Sequence, residues 1–476
     1  MKKKVLLIIS LFIIVISVSF IAINKAQSPK ALLHNNLIFI DSISKVYFID
    51  KTGKRIIKDA YDVGTSNFSD GLACCNKNNK YGYIDKTGKI VIPFIFDAAK
   101  PFSCDRAIVL KEGVWYYIDK TGKKVGNISS DIMTHVSGNV ANDFTRLKKG
   151  TILKDFVNNH AIFMQNFEPT LIDKDCNIVL DKEYTIYNVN LNNNTYIIES
   201  RIKDKFSNKH YIKYGFIDGN GEVIIKPSYD SVRNFSNGLA VVSKNNKWGV
   251  IDKSNQIIIP IKYLDIKDYS DGLISVLEYK DKEFLWGYID KNGNQKISSK
   301  YNYVTSVSED RAFAQYNREV FCIDKSGKVI FKTDCLPDTL YNSGVIIIHN
   351  NIKKKYDLID KSGYVLAEYD FIVPTISEPA FKSGFSRLFP TNRFCLVVSN
   401  KKVGVINNKG VIIIPIIYDI ISDQFSENTI VAIKDKKVEY YNYSGKKILE
   451  TNYSYSSNFI NGIATVMDRN IFNVFR

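Results

Sequence analysis

The chain has 476 residues, a formal net charge of +16, 45% hydrophobic residues and 13% aromatics, among them 29 Tyr and 28 Phe. That apolar content fills cores and excludes wholesale disorder. A chain rich in Ile, Val and Tyr, with only three Trp and eleven Pro, suits half-buried pleated strands better than helices.

The first element is a hydrophobic stretch. Lys2, Lys3 and Lys4 precede Val5 to Ile23, nineteen residues without a charge. As a helix this stretch spans about 28 Å, close to the roughly 30 Å hydrocarbon core of a bilayer. It is longer than the usual apolar core of a cleaved signal peptide, although Ser17 and Ser19 offer a weak cleavage site. Residues 1–25 are therefore expected to be a signal-anchor or signal peptide, and 26–36 a linker. Lysines ahead of the span stay in the cytoplasm, which puts the rest on the extracytoplasmic side, membrane-anchored or secreted after cleavage.

Self-similarity dominates everything that follows. An apolar-Asp step recurs at Ile49-Asp50, Ile84-Asp85, Ile118-Asp119, Ile172-Asp173, Ile217-Asp218 and Ile251-Asp252. It continues at Ile289-Asp290, Ile323-Asp324, Ile359-Asp360 and Ile406-Asn407, with a degenerate copy at Tyr441-Asn442. Most spacings run from 34 to 38 residues; 119 to 173, 173 to 218 and 360 to 407 are longer and mark insertions or decayed copies. All three tryptophans (Trp115, Trp248, Trp286) fall at one repeat position, and glycine follows that position at Gly82, Gly215, Gly249, Gly287 and Gly404.

Each copy has one grammar. An aromatic-Gly-x-Ile-Asp strand enters a turn such as Lys-Thr-Gly, where Asp first and Gly fourth suit a type I turn closed by a left-handed residue. A second apolar run follows, such as Ile257 to Ile259, closed by Pro260. Next come an aromatic-Asp step (Tyr61-Asp62, Phe96-Asp97, Tyr229-Asp230, Tyr418-Asp419) and an F-S-x-G turn (Phe68 to Gly71, Phe235 to Gly238). A third strand, opened by residues such as Gly238-Leu239-Ala240, runs through an Asn/Lys turn into the next copy. Three short strands cannot bury a core alone, so the units must stack on one another.

These residues resemble the WG (KWG) repeat family, whose Lys-Trp-Gly step stands here at Lys247-Trp248-Gly249. The resemblance covers nearly everything from residue 37 onward. It implies an all-β array without established catalysis; Tyr116, Phe321, Asp357 and Glu439 depart from the pattern at the glycine position. The expected fold is a tandem array of about eleven three-stranded antiparallel repeats after one N-terminal hydrophobic helix. Because eleven exceeds the usual blade number of a propeller, an open superhelix or solenoid is expected, or propeller-like arcs. Repeats fill 37–125 and 211–476, with a C-terminal cap, and 126–210 is an irregular stretch holding a degenerate copy and an insertion.

No catalytic motif emerges. The five histidines (His34, His135, His160, His210, His349) show no metal-ligand spacing, and there is no Walker loop, G-x-S-x-G elbow or dinucleotide fingerprint. The seven cysteines, at 74, 75, 104, 176, 322, 335 and 395, contain no C-x-x-C pair and read as small apolar fillers. The Asp-Lys turns supply one carboxylate each, so Asp reads as a turn former and not as a calcium ligand. No catalytic, cofactor or metal residue is expected, and no cofactor. The expected function is a non-catalytic, envelope-associated scaffold binding a protein or an anionic wall polymer or lipid surface, held at the membrane by residues 5–23. Export disfavours nucleic acid as partner. The alternatives are a carbohydrate-active or wall-lytic enzyme with its site in 126–210, or a structural spacer.

Overall fold

A computed structural model describes residues 39–40, 44–130, 152–153, 155–165, 168–190, 195–203, 210–337, 339–377, 390–468 and 471–472. The hydrophobic helix expected over 5–23 lies outside these residues. Among the described residues every helix or strand element is a strand, and no helix is long and apolar enough to cross a membrane.

The sheet of residues 231–263 shows how one unit is built. Ser231–Val232, Leu239–Lys244, Lys247–Asp252 and Ile257–Tyr263 pair antiparallel in that order. The first and second strands are joined through Asn237 and Gly238, and the second and third through Asn245 and Asn246, all four with positive φ. Such two-residue turns match the twist of the strands they join, and Asn and Gly accept the left-handed conformation most readily. The third and fourth strands are joined by the Asp turn. The Ser254 and Gln256 amides both donate to Asp252 Oδ1 at 2.9 Å. The same arrangement recurs at Asp50, where the Thr52 amide, the Thr52 hydroxyl and the Lys54 amide converge at 2.9, 2.6 and 3.1 Å. Asp is a turn former here, with its carboxylate consumed by the turn. The aromatic-Asp step leads into a two-residue strand, so most units have four strands and not the three expected from the sequence.

The WG glycine has a steric cause. Trp248 pairs with Tyr263 and Val250 with Ile259, so three residues, Pro260 to Lys262, bulge opposite Gly249 alone. A Cβ on Gly249 would lie 2.6 Å from the Ile259 carbonyl oxygen and 2.8 Å from Ile261 Cα. Gly82, Gly215, Gly287 and Gly404 sit under the same bulge. Where the glycine is missing, so is that bulge: Phe321 faces Lys332, Asp357 faces Glu368 and Glu439 faces Glu450, one residue to one. In those three copies the close backbone approach is absent.

The stretch 126–210 continues the array. Ile152–Leu153, His160–Gln165 and Glu168–Asp173 form one sheet, and Thr185–Asn190 and Thr195–Lys203 pair with His210–Asp218 and Val223–Tyr229 in the next. Most of the insertion expected there lies outside the described residues.

Among the described residues, eleven clusters of buried side chains join consecutive sheets along the chain. One of them packs Val241, Val250 and Ile259 of one sheet on Ile266, Ile274 and Ile289 of the next. Each sheet thus has a neighbour on both faces, which supplies the burial that four short strands lack.

The array closes on itself, where the repeat count had favoured an open superhelix. Lys45–Asp50 pairs with Ile463–Met467, from Val46 opposite Met467 to Asp50 opposite Ile463. Phe48 and Ile463 then share a cluster with Tyr61, Ala73 and Ile84 of the first full sheet. Closure follows from an offset between sequence repeat and sheet. A sequence copy begins with the aromatic-Gly strand, but that strand pairs with the last strand of the preceding copy. The first and last copies each hold half a sheet, and the halves meet in a propeller-like arrangement of small antiparallel sheets.

Candidate binding rim

Alternating strand direction sorts the turns onto two rims. The turns between first and second strands and the Asp turns lie at one end of each sheet. The turns between second and third strands lie at the other, beside the aromatic-Asp steps.

The first rim is a set of latches between units. The serine of the F-S-x-G turn donates to a backbone carbonyl of the next unit: Ser69 to Phe102, Ser103 to Phe156, Ser270 to Val307, Ser308 to Tyr341 and Ser426 to Phe459, at 2.6–2.7 Å. The acid after it reaches the next turn, as when Asp271 accepts from the Asp310 amide at 2.6 Å and Glu309 from the Ser343 and Gly344 amides at 2.7 and 2.8 Å. Lysines of the Asp turns close these junctions. Lys325 bridges Asp271 and Asp310, Lys361 pairs with Glu309, and Lys51 pairs with Glu427 across the closing seam. The ammonium of Lys325 holds the Asp310 carboxyl below its ordinary pKa. The carboxylates of these junctions join units, while other lysines of the Asp turns, such as Lys86 and Lys253, are exposed and make no ion pair among the described residues. Sequence reasoning read F-S-x-G only as a turn; the recurrence of Ser after the aromatic was the available signal.

The second rim is built differently. The acid of each aromatic-Asp step accepts a turn amide in its own sheet: Asp62 from Asn78, Asp97 from Glu112 and Asp230 from Asn245, at 2.7, 2.9 and 2.6 Å. One lysine pairs with the same acid in each case, namely Lys45, Lys80 and Lys213. The lysine beside Asp97 is the main cause of its lowered pKa. Further lysines stand at this rim, with the exposed acids Glu112, Asp281, Glu283 and Asp435 among them. Lys244, Lys247, Lys280, Lys282, Lys354 and Lys436 are exposed and make no ion pair among the described residues. Apolar side chains stand among them: Tyr279 is 61% exposed, Phe284 63% and Ile352 81%. The Tyr279 and Phe284 rings lie 5.2 Å apart, tilted by 54°, on a hairpin two residue pairs longer than the one ending at Lys244 and Lys247. Tyr211, Ile212 and Ile202 are exposed near the tip of another long hairpin.

The residues singled out from sequence are spread through the fold and form no reaction centre. Trp286 is buried, and Trp248 is half-buried with the Arg233 guanidinium 5.1 Å from its ring. His160 and His349 stand in different units, the latter 4.7 Å from the Tyr356 ring; His210 is exposed, and His34 and His135 lie outside the described residues. Five cysteines are buried, and burial pushes the thiols of Cys74 and Cys75 well above their ordinary pKa.

The family described as "WG containing repeat" matches residues 48–81, 81–115, 214–248, 248–280, 286–318, 404–437 and 440–470. The chain is a WG-repeat protein. No curated protein matches it. Among solved structures, this WG-repeat protein is similar to Kluyveromyces lactis Hsv2p at 13% identity, covering 55% of this chain and 92% of that one, with TM-score 0.29. It is similar to a eukaryotic initiation factor at 10% identity, covering 80% and 96%, with TM-score 0.32. The Neurospora crassa Pan2 WD40 domain is similar at 8% identity over 51% and 89%, with TM-score 0.22. These values are too low to carry any argument about function.

Proposed function

We propose that this WG-repeat protein is a non-catalytic scaffold of a cell envelope that binds a protein or an anionic surface through its lysine-bearing rim. The observation that carries this reading is the projection of long hairpins from one rim, with exposed aromatic and aliphatic side chains beside lysines that make no ion pair among the described residues. Both rims expose lysines and apolar side chains, but the latch-rim carboxylates join neighbouring units, and the opposite rim carries the hairpins that reach furthest, with Tyr279 and Phe284 near the end of one of them. Surface charge of one sign steers a partner of the other sign, and exposed aromatics at a rim are common anchors. The lysines at residues 2–4 and the uncharged stretch 5–23 support membrane attachment with the array on the extracytoplasmic side.

Crosslinking the full-length chain in membranes tests the binding reading. Reversing Lys244, Lys247, Lys280 and Lys282 to Glu is expected to abolish partner capture. Reversing Lys86 and Lys89 on the latch rim is expected to leave it intact. Equal capture by both variants refutes the assignment of the rim.

A further inference from the structure

We infer that the lysine rim lies flat against an acidic lipid surface, the surface of the same bilayer that holds residues 5–23. This deepens the scaffold reading and rests on its membrane attachment. Three observations lead to it.

The first is where the chain enters the ring. Strand Lys45–Asp50 ends at Asp50 in an Asp turn, on the latch rim, so it starts on the lysine rim. Lys45 confirms this by pairing with Asp62 as Lys80 pairs with Asp97. The chain therefore enters the ring at the lysine rim. Strand Ile463–Met467 ends on that side as well.

The second is the chemistry of the tips. Phe284, Tyr279, Ile352 and Ile202 are exposed at or beside hairpin ends. Lys280 and Lys282 alternate with Asp281 and Glu283 between Tyr279 and Phe284, and Lys354 stands two residues from Ile352. Lysines beside aromatic and aliphatic side chains are what an interface between headgroups and acyl chains accepts: the rings enter and the ammonium groups stay with the phosphates. A soluble anionic polymer would use the lysines and leave the apolar side chains in water.

The third is reach. The hairpin bearing Tyr279 and Phe284 extends two residue pairs past the neighbouring hairpin ending at Lys244 and Lys247. At about 3.4 Å per residue that is roughly 7 Å, the depth to which an interfacial segment sinks. Of the acids on this rim, Asp62, Asp97 and Asp230 are held in turns and paired with lysines. Asp281 and Glu283 are exposed beside Lys280 and Lys282 and leave the Tyr279–Phe284 tip near neutral, so that its insertion rests on the rings.

Full-length chain reconstituted into vesicles with brominated acyl chains tests the inference. Three single variants at exposed positions report contact: F284W and I352W on the lysine rim and Y364W on the latch rim, each read against the unsubstituted chain. In vesicles containing phosphatidylglycerol, F284W and I352W are expected to be quenched and Y364W not. The rim quenching is expected to vanish in purely zwitterionic vesicles, or near 1 M salt where the Debye length falls to about 3 Å, with the chain still in the vesicles. A chain that stays out of vesicles of either composition overturns membrane attachment and this inference with it. A chain that inserts while all three reporters stay unquenched, or while Y364W alone is quenched, overturns the orientation and leaves attachment standing. Inserted chain with unquenched rim reporters, but with retention of soluble polyphosphate lost on reversing Lys353, Lys354 and Lys355 to Glu, replaces the lipid surface with a polyanion.

Discussion

Replacing Gly249 with Ala puts the WG step to its most direct test. The added Cβ meets Ile259 O at 2.6 Å, Ile261 Cγ1 at 2.7 Å and Ile261 Cα at 2.8 Å, two of them on backbone positions. Ordinary contact begins near 3.4 Å, so Pro260 to Lys262 must retreat by several tenths of an ångström, in a strand wedged between neighbouring units. Overpacking of this kind costs about 2–3 kcal/mol. Gly238→Ala is the control: nothing stands within 4 Å of its Cβ, and only its φ of +80° is penalised, about 1 kcal/mol. Denaturant unfolding measures the difference, and hydrogen exchange of amides 239–263 locates it. A rescue follows from the copies that lack glycine. Deleting Pro260 and Ile261 leaves one residue opposite position 249, the pairing that Phe321 has with Lys332, and in that background Gly249→Ala should cost less than about 1 kcal/mol. Equal destabilisation by Gly249→Ala and Gly238→Ala, or no rescue by the deletion, refutes the bulge as the reason for the glycine.

Three further outcomes are expected. Trp286→Ala should cost about 3–5 kcal/mol as a buried large aromatic, and Trp248→Ala less, because Trp248 is only half-buried; melting curves in the reverse order contradict the packing described. Phe48→Ala, at the seam and fully buried in its cluster, should cost about 3–5 kcal/mol and expose the Ile463–Met467 edge, read as concentration-dependent self-association in sedimentation. The third concerns acid. The Ser326 hydroxyl lowers the Asp324 pKa, and at Asp290 burial raises the pKa but donors from Asn294, Asn292 and Lys296 outweigh it, giving about 2. A carboxyl depressed in the fold stabilises it above the unfolded pKa and loses that contribution as pH falls through the folded value. Stability should therefore drop between about pH 4 and pH 2, and Asp290→Asn should flatten the drop; parallel curves for both chains rule this out.

The repeat, the strands and the Asp turns were legible because they are local: period-two alternation, Asn-Asn pairs and the Asp-to-Gly spacing act within a dozen residues. Closure was not legible. Nothing near Val46 announces that its partner is Met467, and the divergence of the end copies invited reading them as caps. The two-residue strands at Ser231–Val232 and Asp265–Ile266 were too short to show a pattern. The candidate rim was the least legible part. Lys244 and Lys325 occupy similar lysine-rich turns, and only strand pairing shows that one points to solvent while the other bridges Asp271 and Asp310. The serine latches were hidden for the same reason, since Ser308 finds its acceptor 33 residues on.

The offset between sequence copy and sheet has a consequence for how such a gene can change. Each internal copy contributes half of one sheet and half of the next. If unequal recombination removes one whole copy, the two half-sheets left at the junction are the complementary halves of a single sheet. Duplication is the mirror case, since the inserted copy brings both halves that its new neighbours need. No gain or loss of a whole copy leaves an unpaired edge, whereas a cut at a sheet boundary in the protein removes a half that nothing replaces. Copy number in this architecture can change by integers without orphaning a half-sheet, as long as the remaining sheets still bring Lys45–Asp50 beside Ile463–Met467.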